Sequence, residues 1–369
     1  MPKPREIIKD FLPYVPGMSL EEVRKQYGLD SIVKLASNEN LWGTSSRALD
    51  ELTKELENIH IYPQSEPAEL KKRIADRFSV PEEAVITGNG TDEIIELISR
   101  TFLEPGDKIV ISKNSFIRYR MAGIIMDAEV TEVPQKDHRI DIKGLAAAVD
   151  KRTKIIYIDN PCNPTGTYVD SNGLNDLIRA LKDMAEPPLL VLDEAYYEYV
   201  TVSEYSSGME YLKGSVPVMV LRTFSKIYGL AGLRIGYAVG DPGIISLINR
   251  IRPPFNTNRL AQAAATGAFA DNSFVDMVRE KTEKEKKYLY GQLDSMDLQY
   301  VRSQTNFILV RLGSEKVRPL CEFLLQRGIV LRPLAGYDLD DYIRVTVGRH
   351  EHNTCFIEGL MEFLNTAKE

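Results

Sequence analysis

Residues 189–196 read Leu189-Leu-Val-Leu-Asp193-Glu-Ala-Tyr196, four aliphatic residues in a row closed by an acid. A run with no polar face reads as a strand covered on both sides, as in a parallel sheet held between helices. Similar runs lie around it at Ala84–Thr87, Lys108–Ser112, Glu129–Val133, Lys154–Ile158, Val218–Leu221 and Ile235–Val239. Amphipathic stretches such as Asp92–Leu103 and Asn172–Ala185 separate several of them, which calls for crossover connections. The expectation is an α/β protein with a mostly parallel, seven-stranded sheet flanked by helices.

Working outward, residues 1–34 carry Pro4, Pro13 and Pro16 with little periodicity and read as an arm laid over a surface. Arg252-Pro-Pro-Phe255 breaks the pattern, and a long helix-prone stretch follows from Leu260 to Met296. Its charged run Arg279–Lys287 has Glu280/Lys284 and Glu283/Lys287 four apart and reads as a solvated helix face. Strands at Asn306–Arg311, Ile329–Leu331 and Tyr342–Val347 suggest a smaller α+β unit. The expected division is an arm over 1–34, a large domain over 35–255 and a small C-terminal domain over 256–369, which fits a chain of 369 residues.

With 43% apolar and 27% charged residues the chain is ordinary globular material, which excludes disordered, collagen-like and coiled-coil readings. Forty-six basic against 53 acidic residues give a net charge of −7 with no long basic block, which argues against nucleic acid or an anionic membrane as partner. No stretch approaches the roughly 18 apolar residues of a membrane span, and Met1–Gly17 lacks the apolar core of a signal peptide. Three cysteines, Cys162, Cys321 and Cys355, suit a reduced compartment, so a cytoplasmic location is expected.

Four segments place polar residues directly after aliphatic runs, where open α/β sheets bind ligands. Gly88-Asn-Gly90-Thr91-Asp92-Glu93 could seat a phosphate on free amides, or be a plain strand-to-helix turn. It half-matches the dinucleotide fingerprint, with Glu93 where a third glycine belongs. Asp159-Asn-Pro-Cys-Asn163-Pro-Thr-Gly166 is a rigid loop carrying an amide. Asp193 ends its strand where an acid needs a cationic partner. Thr223-Phe-Ser225-Lys226, with Arg234 eight residues on, supplies hydroxyls, an amine and a guanidinium. Each alone has a bland reading, but together they supply what pyridoxal phosphate requires: a lysine for a Schiff base, a carboxylate for the ring nitrogen, and donors for the phosphate and ring hydroxyl. His350, His352 and Cys355 lack a second cluster and read as a surface segment, so no metal is expected. No serine or cysteine sits in a nucleophile elbow.

Asn163-Pro-Thr-Gly, Asp193-Glu-Ala-Tyr196 and Ser225-Lys226 with Arg234 resemble the fold-type I pyridoxal-phosphate-dependent aminotransferases. Within that group the chain looks most like the histidinol-phosphate aminotransferases, through Asn38-Glu-Asn40, Tyr62-Pro63, Thr305-Asn-Phe, Arg332-Pro and Arg344-Val-Thr-Val-Gly348. The resemblance implies a large domain and a small one, a ping-pong transamination between L-histidinol phosphate and 2-oxoglutarate, and a homodimer. It implies Lys226 as the residue that bonds the cofactor and moves the proton, Asp193 at the ring nitrogen, and Asn163 and Tyr196 at the ring hydroxyl. Gly90, Thr91, Ser225, Arg234 and Thr223 would take the phosphate, with Tyr62 reaching it from the neighbouring subunit. Arg344 and Arg332 would bind the anionic end of the substrate, under Tyr14 of the arm, with Asn40 on the substrate side. Phe116 would stack on the cofactor ring, where a tyrosine is common in relatives. Asn40 precedes Leu-Trp42-Gly, where relatives usually have a proline, and Trp42 is expected near the active-site mouth. Arg118 and Arg120 are expected in solvent. The competing readings are an aromatic aminotransferase, an amino-acid-phosphate decarboxylase of the same fold, and a nicotinamide dehydrogenase built on Gly88–Glu93.

Overall fold

The computed structural model describes residues 2–9, 20–29 and 31–366; Tyr14 lies outside them. Seven strands form the large sheet: β1 (Val85–Gly88), β2 (Lys108–Ser112), β3 (Glu129–Val133), β4 (Thr153–Asp159), β5 (Leu189–Asp193), β6 (Val218–Thr223) and β7 (Gly236–Gly240). Their order is β1-β7-β6-β5-β4-β2-β3. All neighbours are parallel except β7, which runs antiparallel to both β1 and β6. The reason lies in the connection: β6 returns through residues 224–235, which hold only a short 3₁₀ turn at Ala231–Leu233 and no crossover helix. The unbroken aliphatic strands are buried along their length, as at β5 and β6, whereas the edge strand β3 is only partly covered and shows Glu129 and Glu132 to solvent.

Helices α1 (Ser46–Lys54), α2 (Gly90–Phe102) and α3 (Ile117–Ile125) precede the strands that complete the sheet. The stretch expected to be one long helix after Leu260 is two, α4 (Arg259–Phe269) and α5 (Asn272–Ser295). Asp271 breaks it: its carboxylate accepts the Phe274 N–H at 3.2 Å as an N-cap and the Ser45 hydroxyl at 2.6 Å. The charged run on α5 is also not simply solvated. Lys286 is 1% exposed and donates to the Ser303 carbonyl at 2.7 Å while pairing with Glu283; Glu285, 6% exposed, accepts from Asn353 Nδ2 at 2.9 Å. These charges are tolerated inside because each has a fixed partner.

The C-terminal part forms an antiparallel sheet of β8 (Tyr300–Val301), β9 (Phe307–Arg311), β10 (Arg332–Pro333) and β11 (Tyr342–Thr346), in the order β10-β11-β9-β8. Val33–Lys34 pairs with Ile329–Val330, and Leu35 is buried in the core of this unit with Leu320, Ile343 and Phe356. Helix α4 packs the other way, its alanines against Ala48 of α1 and the core that holds Phe224 and Tyr237. Trp42 touches both cores and lies along their seam. Among the described residues no helix is long and apolar enough to cross a membrane.

Candidate active site

The carboxyl ends of β4, β5 and β6 open onto a cavity of about 570 Å³ whose walls include Thr91, Phe116, Asn163, Asp193, Tyr196, Thr223, Ser225, Lys226 and Arg234. A row of parallel strand ends points its last side chains the same way, which is why residues far apart in sequence meet here. Asp193, 3% exposed, accepts from the Tyr119 hydroxyl at 2.8 Å and the Ala195 N–H at 3.1 Å. Burial pushes it up to about 6, and these two hydrogen bonds oppose the rise. Lys226 Nζ donates to the Ser37 carbonyl at 3.3 Å and lies 5.6 Å from the centre of the Tyr196 ring. Burial, seconded by the Arg344 charge, brings this amine down to about 8. Tyr196 accepts from Asn38 Nδ2 at 2.9 Å, and burial moves its hydroxyl upward.

At the opposite end, α2 begins with a glycine in the left-handed region, Gly90 at φ +74°, and a Cβ there would stand 2.5 Å from Arg234 Nη2. The Asn89 side chain makes no cap; Glu93 reaches back to the Asn89 N–H at 2.6 Å. That fixes the turn and explains why an acid stands where a dinucleotide site needs glycine. Arg234 donates to Ser225 Oγ at 3.2 Å and to Asp92 Oδ2 at 3.2 Å, and Thr223 Oγ1 accepts the Ser225 N–H at 3.0 Å. Arg118, expected in solvent, is partly buried and lies 3.6 Å from Asp92 on the same side, whereas Arg120 is half-exposed beside Glu132.

Neither Arg344 nor Arg332 of the small sheet is among the residues that line the cavity, but Arg344 adjoins it at Asn163. Arg344, 7% exposed, donates to Asn163 Oδ1 and, at 2.9 Å, to the Ala36 carbonyl, while its Nε has no partner. Arg332 stands directly opposite it in the β10–β11 ladder. Directly opposed residues share a face of the sheet, and like charges so placed repel.

Not every expected residue reaches the cavity. Asn40 spends its amide on the Ile227 carbonyl at 2.7 Å and its oxygen on the Trp42 N–H at 3.0 Å, so it steadies the residue after Lys226 rather than facing a ligand. Tyr62 is 77% exposed and stacks on Phe255 at 4.9 Å, away from the cavity of its own chain. His350 pairs with Glu285 at 3.2 Å, and no group of three or more metal-capable side chains occurs among the described residues. Sequence reasoning missed Tyr119, Asn38 and Asp159. Asp159 was legible as the last residue of an aliphatic run, the same signal that singled out Asp193; its pairing with Asp193 depends on strand register.

The family described as "Aminotransferase class I and II" matches residues 30–360. The chain is 42% identical to the histidinol-phosphate aminotransferase of Moorella thermoacetica over 99% of its own length and 94% of that protein's. It is 41% identical to the enzyme of the same name from Bacillus licheniformis, over 98% of this chain and 99% of the other. Among solved structures, the histidinol-phosphate aminotransferase of Sinorhizobium meliloti in complex with pyridoxal-5′-phosphate superposes with a TM-score of 0.89 at 27% identity, covering 98% of this chain and 97% of that one.

Proposed function

This chain belongs to the class I and II aminotransferase family, and on that premise we propose that it moves the amino group of L-histidinol phosphate to 2-oxoglutarate, giving imidazole acetol phosphate and L-glutamate, with pyridoxal 5′-phosphate as cofactor in a ping-pong cycle. The residues present fit that cofactor. A buried carboxylate at one end of the cavity and a glycine-lined cup at the other match a ring nitrogen and a phosphate, and the cup exists only because Gly90 has no Cβ to meet Arg234. When bound, the cofactor carries the amino group between the two half-reactions and draws electrons from the reacting carbon.

The protein does the rest by binding and by proton placement. Lys226 is the only amine among the described residues of the cavity wall; it would anchor the cofactor, and its Nζ would move the proton at the substrate carbon. An amine near 8 gives up its proton close to neutral pH, which this work demands. Asp193 holds the proton on the ring nitrogen, Asn163 and Tyr196 bond the ring hydroxyl, and Phe116 covers the ring face. Gly90 and Thr91 amides, Ser225, Thr223 and Arg234 receive the phosphate.

The observation that carries the donor assignment is the opposition of Arg332 and Arg344 on neighbouring strands. Two guanidinium groups on one face favour a doubly charged oxyanion, hence a phosphate monoester, while one suffices for the carboxylate of glutamate. The resemblance would give Tyr14, outside the described residues, to this group, whereas Asn40 steadies Ile227, the residue after Lys226. The exposed apolar residues Leu49, Leu56, Ile59, Ile61 and Tyr62 form the face of a homodimer in which Tyr62 reaches the partner's phosphate cup. The chain divides into an arm over 1–34, a cofactor domain over 35–255 and a small domain over 256–369 whose helix α4 packs on the core of the cofactor domain, and it works in the cytoplasm.

A panel of amino donors with 2-oxoglutarate and cofactor-loaded protein tests the assignment. Glutamate should form from histidinol phosphate. Glutamate from phenylalanine or tyrosine but not from histidinol phosphate would make this an aromatic aminotransferase, and carbon dioxide release without consumption of the oxo acid would make it a decarboxylase.

A further inference from the structure

We propose that Asp159 is a positioning residue of this cavity, one of its carboxyl oxygens tying the Phe116 wall to the Asn163 wall and the other serving as an O–H donor to the bound cofactor beside Asp193. The inference rests on the cofactor reading above and adds a residue to it.

Asp159 ends β4 and is 3% exposed. Its Oδ2 accepts the Phe116 N–H at 3.2 Å and the Asn163 N–H at 2.8 Å. Phe116 begins α3 and Asn163 sits in the loop after β4, so a single oxygen fixes the distance between the aromatic wall and the amide wall. The other oxygen, Oδ1, is buried with no hydrogen-bond partner, on a residue that lines the cavity. A buried polar atom left unpaired is costly, and a ligand filling the cavity would relieve that cost.

The register supplies the second argument. Asp159 and Asp193 are paired residues on adjacent parallel strands, so two buried acids stand side by side. Two such groups do not both ionise without penalty. Besides Asp193 on β5, Tyr119 from α3 and Cys162 from its own loop face Asp159, and Asp92 from α2 acts on Asp193; the positive charges of the same cavity lining are Lys226 and Arg234. Burial pushes both acids up; both Asp193 oxygens accept hydrogen bonds, from Tyr119 and Ala195, whereas Oδ1 of Asp159 accepts none, so Asp159 keeps the proton and Asp193 the charge. An oxygen that accepts two backbone N–H groups is the unprotonated one; the proton therefore sits on Oδ1.

Asparagine copies this state, with an oxygen for the two amides and an NH₂ in place of the O–H, and alanine removes it. The test measures cofactor affinity by equilibrium dialysis of the apoprotein, together with the visible circular dichroism of the bound cofactor, for wild type, Asp159→Asn and Asp159→Ala. Asp159→Ala should lose about tenfold or more in affinity and alter the dichroic band, whereas Asp159→Asn should stay within about threefold of wild type. Wild-type affinity should fall as pH rises from about 6.5 to 8.5, and that of Asp159→Asn should not. An alanine variant within about twofold of wild type, or an asparagine variant as weak as alanine, would overturn the proposal. If Asp159→Ala does not fold, Asp159→Ser, too short to reach both amides, carries the same expectations. Failure of the wild-type protein itself to bind pyridoxal phosphate would sink the cofactor reading instead, a result separable from either of these.

Discussion

Two like-charge pairs stand side by side on neighbouring strands of this chain, and they solve the same problem differently. On the large sheet Asp159 stands beside Asp193; on the small sheet Arg332 stands opposite Arg344. A buried carboxyl can shed its charge by taking a proton, and both aspartates are pushed up by burial. A guanidinium has no such route in a protein. The arginines depend on acceptors, as Arg344 does with Asn163 and the Ala36 carbonyl. On the function proposed above, the acidic pair would hold a proton and the basic pair would receive an anion.

Changes at either pair, and at Lys226, would break or sharpen that contrast. Lys226→Ala should have the largest effect, a fall in turnover of roughly 10³-fold or more, since it removes the only amine among the described residues of the cavity wall. Wild-type turnover in that variant would end the mechanism. Asp193→Asn should lower kcat by roughly 10²-fold with KM changed less, because a neutral amide keeps the Tyr119 contact but not the charge. Arg332→Ala should reduce kcat/KM for the phosphorylated donor by roughly 10- to 100-fold and for glutamate by clearly less. Equal losses for both substrates would mean the two arginines do not act as a phosphate receptor.

The smallest effect concerns stability. The Asp159 pKa is raised from 3.8 to about 7 on folding, so the folded state binds the proton more tightly than the unfolded one. The resulting stabilisation is full below the unfolded value near 4 and is lost as pH rises through about 7. Thermal unfolding of the apoprotein between pH 4.5 and 8 should therefore show the midpoint of wild type falling, relative to Asp159→Asn, by a few degrees as pH increases. Parallel curves would show that this carboxyl does not hold the proton.

Most strands of the large sheet were legible because an aliphatic run without a polar face, as at β5 and β6, has few alternatives to burial on both sides. Asn163, Asp193, Ser225 and Lys226 were legible because each follows such a run within a few residues, and Arg234 by its place eight residues after Lys226. What escaped depends on distances the linear chain does not carry. The break at Asp271 needs Ser45, far upstream, as the second partner of its carboxylate. The burial of Lys286 needs the Ser303 carbonyl, and the weight of Asp159 needs the register with Asp193. The resemblance put Asn40 on the substrate side, but its amide closes on the Ile227 carbonyl instead.

Trp42 gives the molecule a property unrelated to chemistry. It is the sole indole in the chain, and it lies where the core of the large sheet meets that of the small one. Ultraviolet emission excited at the red edge of protein absorption therefore comes from one point, the seam between the two units. The protein carries its own optical gauge of how tightly they are closed.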